Sequence, residues 1–195
     1  MQVYRTMHSW HWISAAICLA ALLLFCITGI TLNHADAIGA SPSIEKGSAQ
    51  VPNSLRADLA AARTLPLSPS MSDWIEDQLD APLNGAAIEA TPEEIYVSVP
   101  GPGRDAWISI DRADGSAKFE VTDRGWVAYF NDLHKGRNTG LVWKIFIDVV
   151  AAACVFFSLT GLVLLWIQAR QRTSTWPLVS LGVGVLIALM IVFAH

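Results

Sequence analysis

Three runs of this sequence carry no charged side chain: Ile13 to Leu32, Val149 to Ile167 and Trp176 to Ala194, each 19 or 20 residues long. About 20 apolar residues are needed for a helix to cross a hydrocarbon core about 30 Å thick. The expected fold is therefore membrane α-helical, with three transmembrane helices. Composition agrees: 53% of residues are hydrophobic and the mean hydropathy is +0.41, too apolar for a water-soluble domain of this length.

The charges divide the chain. All seventeen acids lie between Asp36 and Asp148, and Arg5 is the one charged residue among the first 33. The turn after the second run holds Arg170 and Arg172 and no acid. The positive-inside rule puts Arg5 and that turn in the cytoplasm, and long translocated segments escape the rule. The expected order is a cytoplasmic stub and first helix (1–34), an outer domain (35–140), a second helix (141–168), a cytoplasmic turn (169–175) and a third helix ending outside (176–195). Trp10, Trp12, Trp166 and Trp176 fall at inner helix ends and Trp143 at an outer one, as in an aromatic belt. The first run is longer than a signal-peptide core, so an uncleaved signal anchor is expected. The net charge of −4 belongs to the outer segment and gives no sign of nucleic-acid binding. Cys18, Cys26 and Cys154 all lie inside the apolar runs, so no disulfide framework is expected.

The outer domain reads as a small α+β module. "SLRADLAAARTL" and "SPSMSDWIEDQL" have helical spacing, the second with Ser and Asp cap candidates. "EEIYVSVP", "DAWISID" and "SAKFEVT" read as strands, joined at "PGPGR" and "DRADG". No catalytic constellation is visible among its scattered acids.

The five histidines are His8, His11, His34, His134 and His195. All lie near expected membrane boundaries. Singly, each is an ordinary interfacial residue. Together they suggest haem ligation, since neutral imidazole binds haem iron and no carboxylate relay crosses the spans. His34 and His134 are on the same side and are expected to share one iron. His11 and His34 are separated by about 34 Å of helix at 1.5 Å per residue, so they cannot share a site. His8 or His11 would serve a second, inner site. With no other inner histidine, that site needs a second copy or a partner subunit. A non-haem metal site is a weaker alternative, with Asp36 and Asp132 the nearest carboxylates.

A repeat links the first two spans: "LLFCITGITL" (23–32) and "VFFSLTGLVL" (155–164), with Thr28-Gly29 and Thr160-Gly161 in register. The first lies at the outer end of its helix and the second at the inner end. Helix packing through the glycines explains it more simply than a cofactor does.

"HSWHWISAA", "ITGITLNH", "DLHKGRNTGLVWKIFID" and "SLTGLVLLW" together resemble the PepSY-associated transmembrane family of bacterial inner-membrane proteins. "IYVSVPGPGRDAWISIDRADGSAKF" is similar to the sheet half of a PepSY module, with "DRADG" replacing its usual Asp-x-x-Thr-Gly turn. The resemblance implies a periplasmic PepSY-like domain and b-type haem held by His34, His134 and His11 (or His8). It also implies electron transfer toward the periplasm, with a ferric-siderophore or iron reductase as one form. A ferric complex or redox partner would take the electrons, and Lys135 and Arg137 would guide an anionic acceptor. The larger relatives carry four or more helices and often two modules. From the unpaired inner histidine, a homo-oligomer or a subunit of a membrane redox complex is expected. The alternative is a non-catalytic accessory, assembly or regulatory subunit.

Overall fold

A computed structural model describes residues 2–38, 41–62 and 67–193. Three helices are long and apolar enough to cross a membrane: α1 (Gln2–Asn33), α5 (Leu141–Gln168) and α6 (Thr175–Phe193). Between α1 and α5 lie five strands, β1 (Ser43–Gln50), β2 (Ala87–Ala90), β3 (Glu94–Gly101), β4 (Arg104–Asp111) and β5 (Ser116–Asp123). Three shorter helices accompany them: α2 (Arg56–Ala61), α3 (Pro69–Leu79) and α4 (Gly125–Lys135). The chain divides into two compact units, residues 1–23 with 148–195, and residues 24–147.

The second unit is built on one antiparallel sheet in the order β1-β5-β4-β3-β2. Strand alternation decides its buried face: Ile95, Val97 and Val99 of β3 and Ala106, Ile108 and Ile110 of β4 point into the core. α3 covers that face with Met71, Ile75 and Leu79, a four-residue spacing that keeps one stripe inward. Each such side chain contributes about 1.5–3 kcal/mol on burial. α3 starts where expected, since Ser68 Oγ accepts from the Met71 N–H and Pro69 occupies the first turn. It stops at Asp80 in the left-handed region (φ 45°).

Strands β3, β4 and β5 match their sequence signals. The helix expected over "SLRADLAAARTL" is shorter, a 3-10 turn at Asn53–Leu55 running into α2; residues 63–66 lie outside the described residues. Two edge strands and α4 had no clear signal. β1 pairs along β5 from Ser43↔Asp123 to Gln50↔Ser116. Opposite Phe119 it places Gly47, where any Cβ would fall within 2.2–2.9 Å of the Phe119 ring. The ring lies where that side chain would be.

In the first unit, α1 and α5 meet through side chains. Trp10 packs edge-on against Phe156 at 5.8 Å, and Gln168 Nε2 donates to Tyr4 Oη at 3.3 Å. Among its described residues, α6 buries only Thr175.

Candidate functional site at two histidine receptacles

The Thr-Gly repeat acquires a purpose in the structure. Each copy extends back to a phenylalanine, as Phe25-x-x-Thr28-Gly29 on α1 and Phe157-x-x-Thr160-Gly161 on α5. Residues i, i+3 and i+4 share a helix face. Each triplet receives one histidine from another helix.

In the second unit the guest is His134 of α4. Its Nδ1 lies 2.6 Å from Thr28 Oγ1, its ring meets Phe25 edge-on at 5.1 Å, and its Cε1 lies 3.8 Å from where a Cβ on Gly29 would stand. Thr28 already donates its hydroxyl hydrogen back to the Leu24 carbonyl at 2.8 Å. Its oxygen therefore accepts from His134 Nδ1–H. Beside this contact, the Thr31 hydroxyl donates to Asn131 Oδ1 at 2.6 Å. α4 is thus bonded twice to the last turns of α1.

In the first unit the guest is His11 of α1. Its Nδ1 lies 3.1 Å from the Phe157 carbonyl oxygen and 3.2 Å from Thr160 Oγ1. A carbonyl only accepts, so Nδ1 carries the hydrogen. The ring stacks on Phe157 at 4.4 Å and 15°. Its Cε1 lies 3.1 Å from a Cβ built on Gly161, so the glycine is needed for the approach. In both receptacles the polar contacts to the imidazole are made at Nδ1. Neither Nε2 has a hydrogen-bond partner among the described residues.

The other histidines stand apart. At about 100° per residue, His34 is half a turn round α1 from Phe25, facing away from His134. It is exposed, and its Nδ1 donates to the Ile30 carbonyl of its own helix at 3.0 Å. The expected His34–His134 pair is not formed. The sequence gives only spacing along α1; the helical phase separates the two rings. His8 is exposed beside Tyr4 at 6.0 Å, whereas His11 packs on another helix. His195 lies outside the described residues.

Asp132, a carboxylate close to His134 in sequence, is committed within the protein. It is buried, accepts from the Gly103 N–H at 2.9 Å, and pairs with Arg124 at 3.0 Å. Lys135 leans toward the same carboxylate at 3.9 Å. Among the described residues no group of three His, Cys, Asp or Glu side chains could hold a metal ion.

A bis-histidine haem between His34 and His134 does not fit this arrangement. Single ligation by His11 or His134 fits by donor chemistry: a ring oriented through Nδ1–H with its Nε2 lone pair uncommitted is the usual state of a ligating histidine.

No curated protein and no solved structure matches the chain. The PepSY_TM-like family model matches residues 2–195, and the chain, with three apolar helices and an antiparallel sheet between the first two, belongs to that family.

Proposed function

We propose that the protein is an inner-membrane electron-transfer subunit that binds b-type haem through His134 and His11, each supplying one axial ligand. The carrying observation is the shared geometry of the two receptacles, which orient each imidazole through Nδ1–H and leave Nε2 uncommitted. A haem held there would supply one-electron transfer. The residues of this chain orient the imidazole and set an aromatic ring, Phe25 or Phe157, against it. Each receptacle holds one histidine, so the second ligand comes from a second copy or a partner subunit. Electrons would pass toward the periplasm, to a ferric complex or a redox partner.

The second reading is a non-catalytic accessory or regulatory subunit, in which the same histidines lock helices together. It is favoured by the Asp132 joint, which ties α4 to the β3–β4 turn as a purely structural device would.

Visible spectra of the detergent-purified protein, expressed with ample haem, separate the two. The first reading expects a Soret band and reduced α/β bands, diminished in His134→Ala and His11→Ala and retained in His34→Ala. A colourless wild-type protein removes the first reading and leaves the second.

A further inference from the structure

α4 is amphipathic in the inverted sense. Its polar residues Asn131 and Asp132 are buried, at 8% and 3% exposure. Its large apolar residues face out: Trp126 at 77%, Val127 at 44% and Phe130 at 39%. Trp126, Tyr129 and Phe130 form one aromatic cluster, with ring centroids 5.5–6.3 Å apart. At its N-terminal end, beside the aromatic cluster, Arg124 is turned inward on Asp132 at 3.0 Å, while Lys135 at the far end stays 48% exposed. A helix of this pattern is stable only where its outer surroundings are less polar than water.

The position of α4 identifies those surroundings. His134 is bonded to Thr28 and Asn131 to Thr31, and both threonines lie within the charge-free run ending at Leu32. The C-terminal half of α4 is therefore held at the level of the last turns of a membrane span, and its N-terminal half, with Trp126 and Val127, lies beside Ala35 and Ile38 just past the end of that run. Five residues after it, α5 begins. Trp and Tyr, with apolar bodies and polar tips, are the side chains that favour the headgroup level.

We propose that the outward face of α4, formed by Trp126, Val127 and Phe130 with the partly buried Tyr129 at its edge, is a lipid-binding surface seated in the bilayer interface. It acts as an interfacial anchor, with its apolar side among headgroups and first acyl carbons and its polar side on the protein. The Asp132 joint transmits this placement to the β3–β4 turn, so the membrane fixes the attitude of the sheet. The inference rests on the membrane-spanning character of α1 and is independent of any cofactor.

Nitroxide accessibility tests it on the full chain in phosphatidylethanolamine/phosphatidylglycerol nanodiscs. Cys18, Cys26 and Cys154 are replaced by Ala, and labels are placed at Trp126→Cys, Phe130→Cys and, as an aqueous reference, Lys118→Cys on β5. The expected result is collision with oxygen favoured over a water-soluble nickel complex at 126 and 130, several-fold relative to 118. Nickel access at 126 and 130 equal to that at 118 overturns the proposal, and so does low access to both agents, which would mean a second copy or another protein covers the face. A second measurement keeps the native cysteines. Trp126→Phe is expected to lose part of the tryptophan quenching given by lipids brominated close to the headgroup. Quenching unchanged from wild type overturns the proposal as well.

Discussion

Gly29 and Gly161 occupy equivalent places in their receptacles, but the room above them differs. A Cβ at Gly29 meets His134 at 3.8 Å, an ordinary contact, while one at Gly161 meets His11 at 3.1 Å, with Nδ1 at 3.5 Å. Alanine is a better helix former than glycine by about 1 kcal/mol. Gly29→Ala is therefore expected to be neutral or stabilising by up to that amount. Gly161→Ala must displace a ring held by stacking and two polar contacts, and overpacking of this kind costs about 1–3 kcal/mol. The expected outcome is a lower unfolding midpoint for Gly161→Ala than for Gly29→Ala in the same detergent. Equal midpoints would show that His11 is not seated on Gly161. The receptacles were half legible in the sequence. The Thr-Gly repeat is visible by alignment, but which histidine fills which copy depends on helices meeting across more than a hundred residues. His34 misleads for the same reason. It is nearest to Thr28-Gly29 in sequence, and helical phase turns it away.

At the level of elements, the joint between α4 and the β3–β4 turn ties α4, which is bonded to the last turns of α1, to the sheet. Asp132 is buried and accepts from both the Gly103 amide and Arg124. Gly103 has φ +64°, and a Cβ there would fall 2.7 Å from the Tyr129 backbone, so turn and helix are in direct contact. Asp132→Ala would strand the Gly103 amide and leave Arg124 its second partner, Asp105 at 3.2 Å; losing one partner of a buried pair costs about 3–5 kcal/mol, and the retained pair places this case at the low end. Asp132→Asn keeps an acceptor for the Gly103 N–H and is expected to lose about half as much, in line with about 1.5–3 kcal/mol for a charge-assisted hydrogen bond. Urea or thermal unfolding of both variants checks the order, and Asp132→Asn as damaging as Asp132→Ala would contradict it. A milder effect belongs to the β4–β5 hairpin. The Ser116 backbone N–H, bonded to Asp114 Oδ1 at 2.7 Å, holds the Asp114 carboxyl below the ordinary carboxylate range. A depressed folded value means that the stabilisation is complete above the ordinary range and disappears as pH falls through the folded value. The Ser116 amide is therefore expected to shift only at acid pH in an NMR titration, and Asp114→Asn is expected to abolish that shift. The three strands of this hairpin region were legible because β-branched and aromatic residues alternate with polar ones. β1 and α4 were not. Gly47 of β1 is completed by Phe119 from the neighbouring strand, and α4 turns its Asn and Asp inward, the reverse of the pattern that marks a helix in water.

For the whole molecule, the three spans were legible because solvation by lipid imposes a length and forbids charge, and both conditions can be read locally. Their direction across the membrane rests on charge asymmetry. The first 33 residues and the turn between α5 and α6 hold Arg5, Arg170 and Arg172 with no acid, whereas every acid of the chain lies between residues 36 and 148. Because two spans, α1 and α5, separate the first residues from the α5–α6 turn, these two share one side, and the segment between α1 and α5 is expected on the other. Reversal would carry all three arginines outward against the bias that sets orientation. Glu45 on β1 and Ser174 in the α5–α6 turn are both exposed, so a cysteine at either is open to reagent without disturbing a buried contact. In intact spheroplasts of a cysteine-free background, Glu45→Cys is expected to react with a membrane-impermeant maleimide and Ser174→Cys to react only after permeabilisation. The opposite pattern would invert the topology and place His134 on the cytoplasmic side. It would then exclude delivery of electrons from the His134 receptacle to a periplasmic acceptor, while leaving both receptacles and the lipid-facing side of α4 as they are.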